Sequence, residues 1–256
     1  MSTVDETTSL RSDQPQASPT LRPVMYQRWD DLIFMHWRYD ATEIAARLPK
    51  QLVLDTNLNE AYMSIVAFRM NCVRPAGLPA LPWLSYFLEL NVRTYVRSVN
   101  GEPGIFFFSL DCDRAPAVWI ARAAFKLPYM HASMSFVQTA DTRSPVGYTQ
   151  SMLCCRTGHH ETAEYSWSLP SALAPTNPGS LEFFLTERYN FFTVRRGKLM
   201  RGQVYHKPYK IGTPILRSWS SLPIAWNDFS PVDHLPEIVS YSPGVSISAY
   251  RLATAK

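Results

Sequence analysis

The chain has 256 residues, of which 46% are hydrophobic, 13% aromatic and 18% charged, so it carries enough apolar material for a sizeable core. Its net charge is only +4 and its basic residues form no stripe, which argues against nucleic acid as a partner. No run approaches the ~20 apolar residues of a membrane span, and the N-terminus lacks the apolar segment of a signal peptide. We therefore expect no membrane partner and a cytoplasmic location.

The N-terminal segment, residues 1–22, is predicted to be a disordered tail. It is rich in Ser, Thr, Gln, Asp and Pro, and it has few large apolar side chains whose burial could offset the entropy of ordering. A single domain is expected over residues 23–256. Twenty prolines punctuate the chain into short elements.

The first predicted elements are a strand at Leu32–Arg38 and a short helix after it. Asp40 and Glu43 have the spacing of a capping box, and Pro49 ends the helix. The alternation of side chains over Asn59–Met70 predicts a second strand. These elements give the start of the domain a mainly β character.

The centre of the chain is predicted to form a hairpin and a helix. Glu89–Val96 alternates as a strand, Asn100–Gly104 supplies the turn, and Ile105–Leu110 forms the second strand. One face of the first strand carries polar side chains, which are Glu89, Asn91, Arg93 and Tyr95. Pro116–Leu127 is the best helix candidate, since Pro stands at its start and Pro128 ends it.

Further along, a helix is predicted at about Ser180–Arg188, followed by a hairpin of Tyr189–Val194 and Leu199–His206. The densest basic group surrounds the turn of this hairpin and consists of Arg195, Arg196, Lys198 and Arg201. A solvated loop explains this group better than a phosphate-binding patch. The count of about three helices among many short strands gives a mainly β fold with few helices.

Common catalytic and cofactor motifs are absent from the sequence. It contains no glycine-rich phosphate loop, no dinucleotide fingerprint, no His-Glu-x-x-His and no Gly-x-Ser-x-Gly. The cysteines show neither disulfide nor zinc spacing, and we expect reduced thiols at all four positions, Cys72, Cys112, Cys154 and Cys155. We therefore predict no metal and no cofactor.

Several segments, taken in order, resemble the uncharacterised YqjF-like family, which belongs with the acetoacetate decarboxylase-like fold. The most specific is Glu89-Leu-Asn-Val-Arg-Thr-Tyr-Val96. The others are Gln27-Arg28-Trp29, His36-Trp37, Phe107-Phe-Ser-Leu-Asp111, Ala121-Arg122, Leu127-Pro128-Tyr129, Leu185-Thr-Glu-Arg-Tyr189, His206-Lys-Pro-Tyr209 and Tyr241-Ser-Pro-Gly-Val245. The resemblance implies a closed, coiled β-sheet cone or barrel around a central cavity.

The resemblance to the decarboxylases also marks a difference in chemistry. Those enzymes carry two adjacent lysines after a proline, and the first lysine forms an imine with a ketone substrate. In the matching stretch of this chain, Tyr129 and Met130 stand in place of the lysines. A phenol cannot form a Schiff base. Lys126 precedes the matching position, and we expect it to be a surface lysine at the end of the helix.

The resemblance suggests a set of site residues. Glu89 resembles the pocket glutamate of the decarboxylases and Arg28 the arginine that meets the substrate carboxylate, while Arg93 shares the strand face of Glu89. If that face lines the cavity, Glu89 and Arg93 would form a polar floor close to each other, or else a structural ion pair. We predict Glu89 and Tyr129 as catalytic residues and Arg28, Arg93 and Arg122 as substrate-binding residues.

Two histidines, His36 and His206, complete the predicted substrate-binding set, although a lone His on an apolar strand is more often part of the core. Three functions stay open. The chain is an enzyme that acts on a small acidic or keto metabolite by proton transfer (a lyase, hydratase or isomerase), a non-catalytic binder of such a ligand, or an interaction module. In the third case its own aromatic side chains, such as Phe106, Phe108 and Trp119, would fill the cavity. A homo-oligomer is compatible with the decarboxylase analogy.

Overall fold

A computed structural model describes residues 19–255. These residues form four helices, α1 (Ala41–Ala45), α2 (Ala115–Phe125), α3 (Leu181–Thr186) and α4 (Leu222–Ala225). They form fifteen strands, β1 (Met25–Arg38), β2 (Leu52–Leu54), β3 (Tyr62–Pro75), β4 (Phe87–Ser98), β5 (Pro103–Cys112), β6 (Tyr129–Ala140), β7 (Tyr148–Arg156), β8 (Ala163–Ser168), β9 (Ala174–Pro175), β10 (Asn190–Arg195), β11 (Lys198–Tyr205), β12 (Lys210–Ile211), β13 (Ile215–Ser218), β14 (Ile238–Ala249) and β15 (Ala253–Thr254). Within residues 19–255, none of the helices combines the length and apolar character needed to cross a bilayer.

The large sheet curls until it closes on itself. Its closed part runs in the order β5, β10, β11, β14, β1, β3 and β4, and β4 pairs with β5 to complete the ring. Ring closure leaves these strands without free edges, and their inward side chains enclose a common space. The mainly β barrel predicted from the resemblance is confirmed.

Strand β5 is the place where the sheet forks. One of its edges pairs with β4 along nearly the whole strand, from Pro103 to Cys112. Its other edge is shared, because Ile105 and Phe106 pair in parallel with β10 whereas Leu110–Cys112 pair in parallel with β6. The fork separates the closed ring from a flap of antiparallel strands, β6, β7, β8 and β13.

The flap covers the outside of the ring. Outward side chains of β1, β3 and β4 pack against β7 and β8 in one buried cluster whose members include Trp37, Met63, Val92, Met152 and Trp167. A second cluster, with Phe34, Phe68, Leu110 and Tyr129, lies on the inner faces together with α2. Strands of the ring are therefore buried on both faces, which explains the nearly unbroken burial of β3.

Most of the predicted elements are present, with shifted bounds. The Asp40 carboxylate accepts a hydrogen bond from the backbone N–H of Glu43 at 2.8 Å, so the predicted cap of α1 is confirmed. The hairpin of β4 and β5, the hairpin of β10 and β11, and helix α2 are confirmed as well. Strand β1 begins at Met25, seven residues before the predicted start. The predicted tail comprises residues 1–22, of which residues 1–18 lie outside the described part of the chain.

A buried ion pair fastens the flap to the ring next to the fork. Arg156 of β7 holds the Asp111 carboxylate of β5 with Nε at 2.7 Å and Nη2 at 2.8 Å. Its Nη2 also donates to the Ser109 hydroxyl at 2.6 Å, and its Nη1 donates to the carbonyl of Trp226 at 3.1 Å. These four hydrogen bonds compensate the charge of a guanidinium that is almost fully buried.

We expect Arg156→Met to lower the free energy of unfolding by about 3–5 kcal/mol, because it leaves the buried carboxylate of Asp111 without its partner. Urea unfolding followed by circular dichroism measures the loss. Adding Asp111→Leu should recover part of it. The control, Arg143→Met, removes an arginine side chain that is 80% exposed and should change the value by less than about 0.5 kcal/mol. If Arg143→Met lost as much free energy of unfolding as Arg156→Met, the result would contradict the role given to Arg156.

Candidate functional site

The closed ring encloses a cavity of about 230 Å³. Most of its wall is apolar and includes the rings of Trp29, Phe34, Phe68, Phe87 and Phe107. Side chains from the ring strands, α2 and the segment after α3 contribute to this wall. The cavity is thus a largely apolar chamber with a small number of polar groups, which is the usual composition of a small-molecule site.

Three backbone irregularities decide which side chains reach the cavity. On β1, Trp29 and Leu32 both face inward, because Asp31 adopts a φ of 53° and shifts the register against β3. A second shift on β3 lies at Cys72, which has a φ of 52°. The third lies on β5, where Phe107 and Leu110 both line the cavity across a bulge. Such bulges re-aim side chains next to functional sites.

The bulge on β5 also explains how one strand serves two sites. Phe107 and Leu110 point into the cavity, whereas Ser109 and Asp111 point toward the flap and bind Arg156. Without the extra residue, the regular alternation of the strand would place Leu110 on the side opposite to Phe107.

Glu89 of β4 and Tyr129 of β6 form a buried pair in the cavity wall. The Tyr129 hydroxyl donates to Glu89 Oε2 at 2.6 Å. Burial raises the pKa of Glu89 to about 7, although the hydrogen bonds from Tyr129 and Asn91 act in the opposite direction. Burial, and then the neighbouring Glu89, raise the pKa of the Tyr129 phenol well above 10. The pair therefore combines a carboxyl that titrates near neutral pH with a phenol that stays protonated.

Arg93, two positions along the same strand face from Asn91, carries a buried guanidinium. Among residues 19–255, no Asp or Glu forms an ion pair with it. Its Nη2 donates to the carbonyl of Leu185 at 3.2 Å, and its buried Nε has no hydrogen-bond partner in the described chain. The rings of Phe34 and Tyr95 lie 5.7 Å and 5.9 Å from its Cζ. A buried charge in such a position costs free energy unless it is compensated.

Two asparagine side chains in the cavity wall each have one atom without a hydrogen-bond partner in the described chain. The side-chain oxygens of Asn91 and Asn190 are buried, and within residues 19–255 neither accepts a hydrogen bond. Both residues line the cavity. Buried acceptors of this kind lose free energy unless a donor reaches them, so a ligand with a hydroxyl or N–H group would be favoured here.

The two predicted histidines lie behind the wall and do not line the cavity. His36 Nδ1 contacts the Ser64 hydroxyl at 2.7 Å, and burial holds the pKa of His36 well below its usual value. His206 donates from Nδ1 to the carbonyl of Lys207 at 2.9 Å, and burial lowers its pKa to about 4. Both rings are neutral near pH 7 and pack with tyrosines, so their direct contact with a ligand stays a prediction.

The other two predicted arginines also lie away from the cavity wall. Arg28 has a side chain that is 45% exposed, and its Nε pairs with Asp30 at 2.6 Å. Arg122 is exposed on α2 and donates from Nε to the carbonyl of Tyr129 at 2.5 Å. Of the three arginines that the sequence suggests, the structure brings only Arg93 together with Glu89 and Tyr129 around one cavity.

Thr186, Arg188 and Tyr209 are among the polar lining residues that the sequence interpretation missed. They belong to Leu185–Tyr189 and His206–Tyr209, and the resemblance of these two segments to the family was the one signal that could have indicated them. Arg188 is buried, but unlike Arg93 it has a carboxylate partner, Asp55, at 2.9 Å. It therefore needs no external anion.

Two further expectations concern the cavity, which are that Lys126 lies on the surface and that aromatic side chains would fill the cavity of an interaction module. None of the described residues that line the cavity is a lysine, and Lys126 is exposed at the end of α2. Trp119 is 73% exposed, and Phe108 packs against Phe229 at 4.7 Å between ring centroids. Neither they nor Phe106 lines the cavity, so these three residues leave it open.

Solved structures share this architecture. An acetoacetate decarboxylase from Legionella pneumophila superposes with a TM-score of 0.62 at 14% identity, covering 97% of this chain and 94% of that one. An acetoacetate decarboxylase-like enzyme from Sphingomonas wittichii RW1 gives 0.59 at 17% identity, covering 92% and 95%. The enduracididine biosynthesis enzyme MppR, complexed with pyruvate, gives 0.61 at 13% identity, covering 93% and 92%. The chain thus has the acetoacetate decarboxylase-like fold.

Sequence similarity identifies the family within this fold. The profile of DUF2071, described as an uncharacterised conserved protein, matches residues 26–246. The uncharacterised protein YqjF of Bacillus subtilis (strain 168) is 37% identical over 187 residues, which cover 73% of this chain and 74% of YqjF. The chain belongs to the DUF2071 family, and the predicted resemblance to YqjF is confirmed.

We expect Glu89→Gln to change the pH dependence of stability. The carboxyl titrates at about 7 when folded and near its ordinary 4.5 when unfolded, so between these values the folded state holds a proton that the unfolded chain has lost. Wild-type stability therefore falls as the pH rises through this window. Relative to wild type, the variant should gain about 3 kcal/mol from pH ~4.5 to pH ~8 in urea unfolding.

The matched control is Glu164→Gln, which removes one carboxyl from an exposed position of β8. The difference in the free energy of unfolding between Glu89→Gln and wild type should change with pH. If it stays constant from pH ~4.5 to pH ~8, Glu89 does not titrate near neutral pH in the folded protein.

Proposed function

We propose that this protein binds a small organic acid in the barrel and exchanges a proton with it, without forming a Schiff base. The observation that carries the proposal is the buried guanidinium of Arg93, which has no carboxylate partner among the described residues and shares a cavity with the Glu89–Tyr129 pair. Four free thiols agree with the cytoplasmic location that we propose from the sequence.

Arg93 supplies the anion site. A guanidinium offers several N–H donors in a planar fork that matches a carboxylate, and only one backbone contact occupies this fork. A carboxylate in the cavity would neutralise the buried charge. The complex of MppR with pyruvate is a second support, since it shows that an enzyme with this fold accepts a small keto acid.

The Glu89–Tyr129 pair supplies the proton chemistry. A carboxyl with a pKa of about 7 is present in both protonation states near neutral pH, which is the range in which a general acid or base is most effective. Because Glu89 and Arg93 lie about 13 Å apart along β4, Glu89 removes a proton from a carbon next to a carbonyl that is remote from the carboxylate on Arg93, and it returns the proton to the same ligand at another carbon. Tyr129 stabilises the carboxylate by its hydrogen bond. The complete step, removal and return of the proton, is an isomerisation. A lyase or hydratase uses only its first half, in which removal of the proton is followed by loss of a leaving group from the neighbouring carbon, and the C–H electron pair forms the new double bond.

A non-catalytic binding protein is the second candidate. The observation in its favour is that no lysine lines the cavity among the described residues, so the nucleophile of the decarboxylases has no replacement there. The anion site of Arg93 would be the same in both cases, and the two candidates differ only in what Glu89 does.

We expect Arg93→Gln to weaken the binding of 2-oxo acids by at least tenfold, because the variant keeps polar donors but loses the charge. Calorimetric titration with pyruvate and larger 2-oxo acids measures this effect. Arg143→Gln, at the side chain that is 80% exposed, is the matched control and should bind as wild type does. Equal affinities of wild type and Arg93→Gln would refute the anion site.

Elongated oxo acids with a second carbonyl several carbons from the carboxylate, followed by proton NMR in deuterium oxide, separate the enzyme from the binder. Exchange or turnover that is lost in Glu89→Gln supports the enzyme. Binding that depends on Arg93 without exchange supports the non-catalytic candidate.

We expect borohydride to trap no adduct when the protein is incubated with acetoacetate, since Lys126 is exposed and lies outside the cavity. Intact-mass spectrometry detects an adduct, and peptide mapping assigns it to a residue. A trapped adduct on Lys126 would overturn the rejection of imine chemistry. A decarboxylase with the active-site lysine serves as the positive control.

A further inference from the structure

The cavity is larger and more apolar than a three-carbon acid requires. An apolar cavity of about 150 Å³ is enough to take up benzene, and this cavity measures about 230 Å³. Five aromatic residues contribute to its wall, and they are Trp29, Phe34, Phe68, Phe87 and Phe107. A ligand as small as pyruvate would leave most of this wall uncovered.

The polar groups of the cavity are also far apart. Glu89 and Arg93 are separated by four residues on β4, a span of about 13 Å along a strand. The guanidinium contacts Leu185, Phe34 and Tyr95, whereas the carboxyl of Glu89 contacts Tyr129 and Asn91. A ligand that reaches both ends of this strand face must be elongated.

Solvent reaches the cavity beside α2. Ile120 lines the cavity and is 38% exposed, so this helix forms part of the mouth. Ala117 and Ala121 line the cavity from the same helix, and their short side chains leave room for a ligand. The mouth is therefore apolar too.

We propose that the ligand is an organic acid with an apolar body of at least the size of a phenyl ring, and that its carboxylate binds Arg93. This inference rests on the proposed function and adds the substrate class to it. The body fills the aromatic chamber between Arg93 and α2, and a polar atom on the ligand meets Glu89 and Tyr129. Pyruvate and acetoacetate are too small to fill the chamber.

The test compares two 2-oxo acids that share a head group, pyruvate and phenylpyruvate, by calorimetric titration. Burying a phenyl side chain is worth ~10-fold to ~100-fold in affinity, so phenylpyruvate should bind more tightly by that factor. Ala121→Phe narrows the chamber and should remove most of this preference. Ala123→Phe, at an exposed position of the same helix, is the matched control and should keep the preference.

The outcomes separate the inference from the proposed function. If both acids depend on Arg93 but pyruvate binds as tightly as phenylpyruvate, the substrate class is wrong and the anion site stands. If neither acid binds, or if Arg93→Gln binds both as wild type does, the proposed function fails and the inference fails with it. The comparison of the two acids on the wild-type protein decides the question even if Ala121→Phe does not fold.

Discussion

Closure of the sheet is the constraint on which the rest of the structure depends. Once β4 pairs with β5, the ring has an inner and an outer face, and both must be covered. The flap covers the outer face, while the inner face keeps a cavity of about 230 Å³. The fork on β5 makes both possible, since one edge of a single strand pairs with the ring and with the flap. The Arg156–Asp111 pair then fixes the flap at this fork.

Two buried arginines show the difference between architecture and function. Arg156 makes four hydrogen bonds to groups of the chain, two of them to the Asp111 carboxylate, so its charge is compensated when the protein folds. Arg93 is buried to a similar degree, but one carbonyl is its only hydrogen-bonding partner among the described residues. An uncompensated buried charge costs several kcal/mol. The proposed carboxylate ligand would supply the compensating charge that Arg156 receives from Asp111.

Period-two alternation was enough to place Glu89, Asn91 and Arg93 on one strand face, and the structure brings all three to the cavity. The alternation of side chains could not predict the bulges at Asp31 and Cys72. Both residues have a positive φ, and no sequence pattern indicates a positive φ at a residue other than glycine. Only the resemblance suggests Arg28, since the predicted strand begins at Leu32 and does not contain it, whereas β1 begins at Met25. The expectation that Glu89 and Arg93 lie close to each other was wrong, because four residues of a strand span about 13 Å.

The Glu89–Tyr129 pair indicates how a decarboxylase-like barrel can work without its lysine. In an imine mechanism a lysine activates the ketone covalently, and its ammonium must lose a proton first. The buried phenol of Tyr129, at the start of β6, cannot do this, but its hydrogen bond stabilises the ionised form of Glu89, which burial otherwise disfavours. The opposition of these two effects leaves the carboxyl pKa near 7. The cavity therefore contains a carboxyl suited to taking up and releasing protons near neutral pH, together with the positive charge of Arg93.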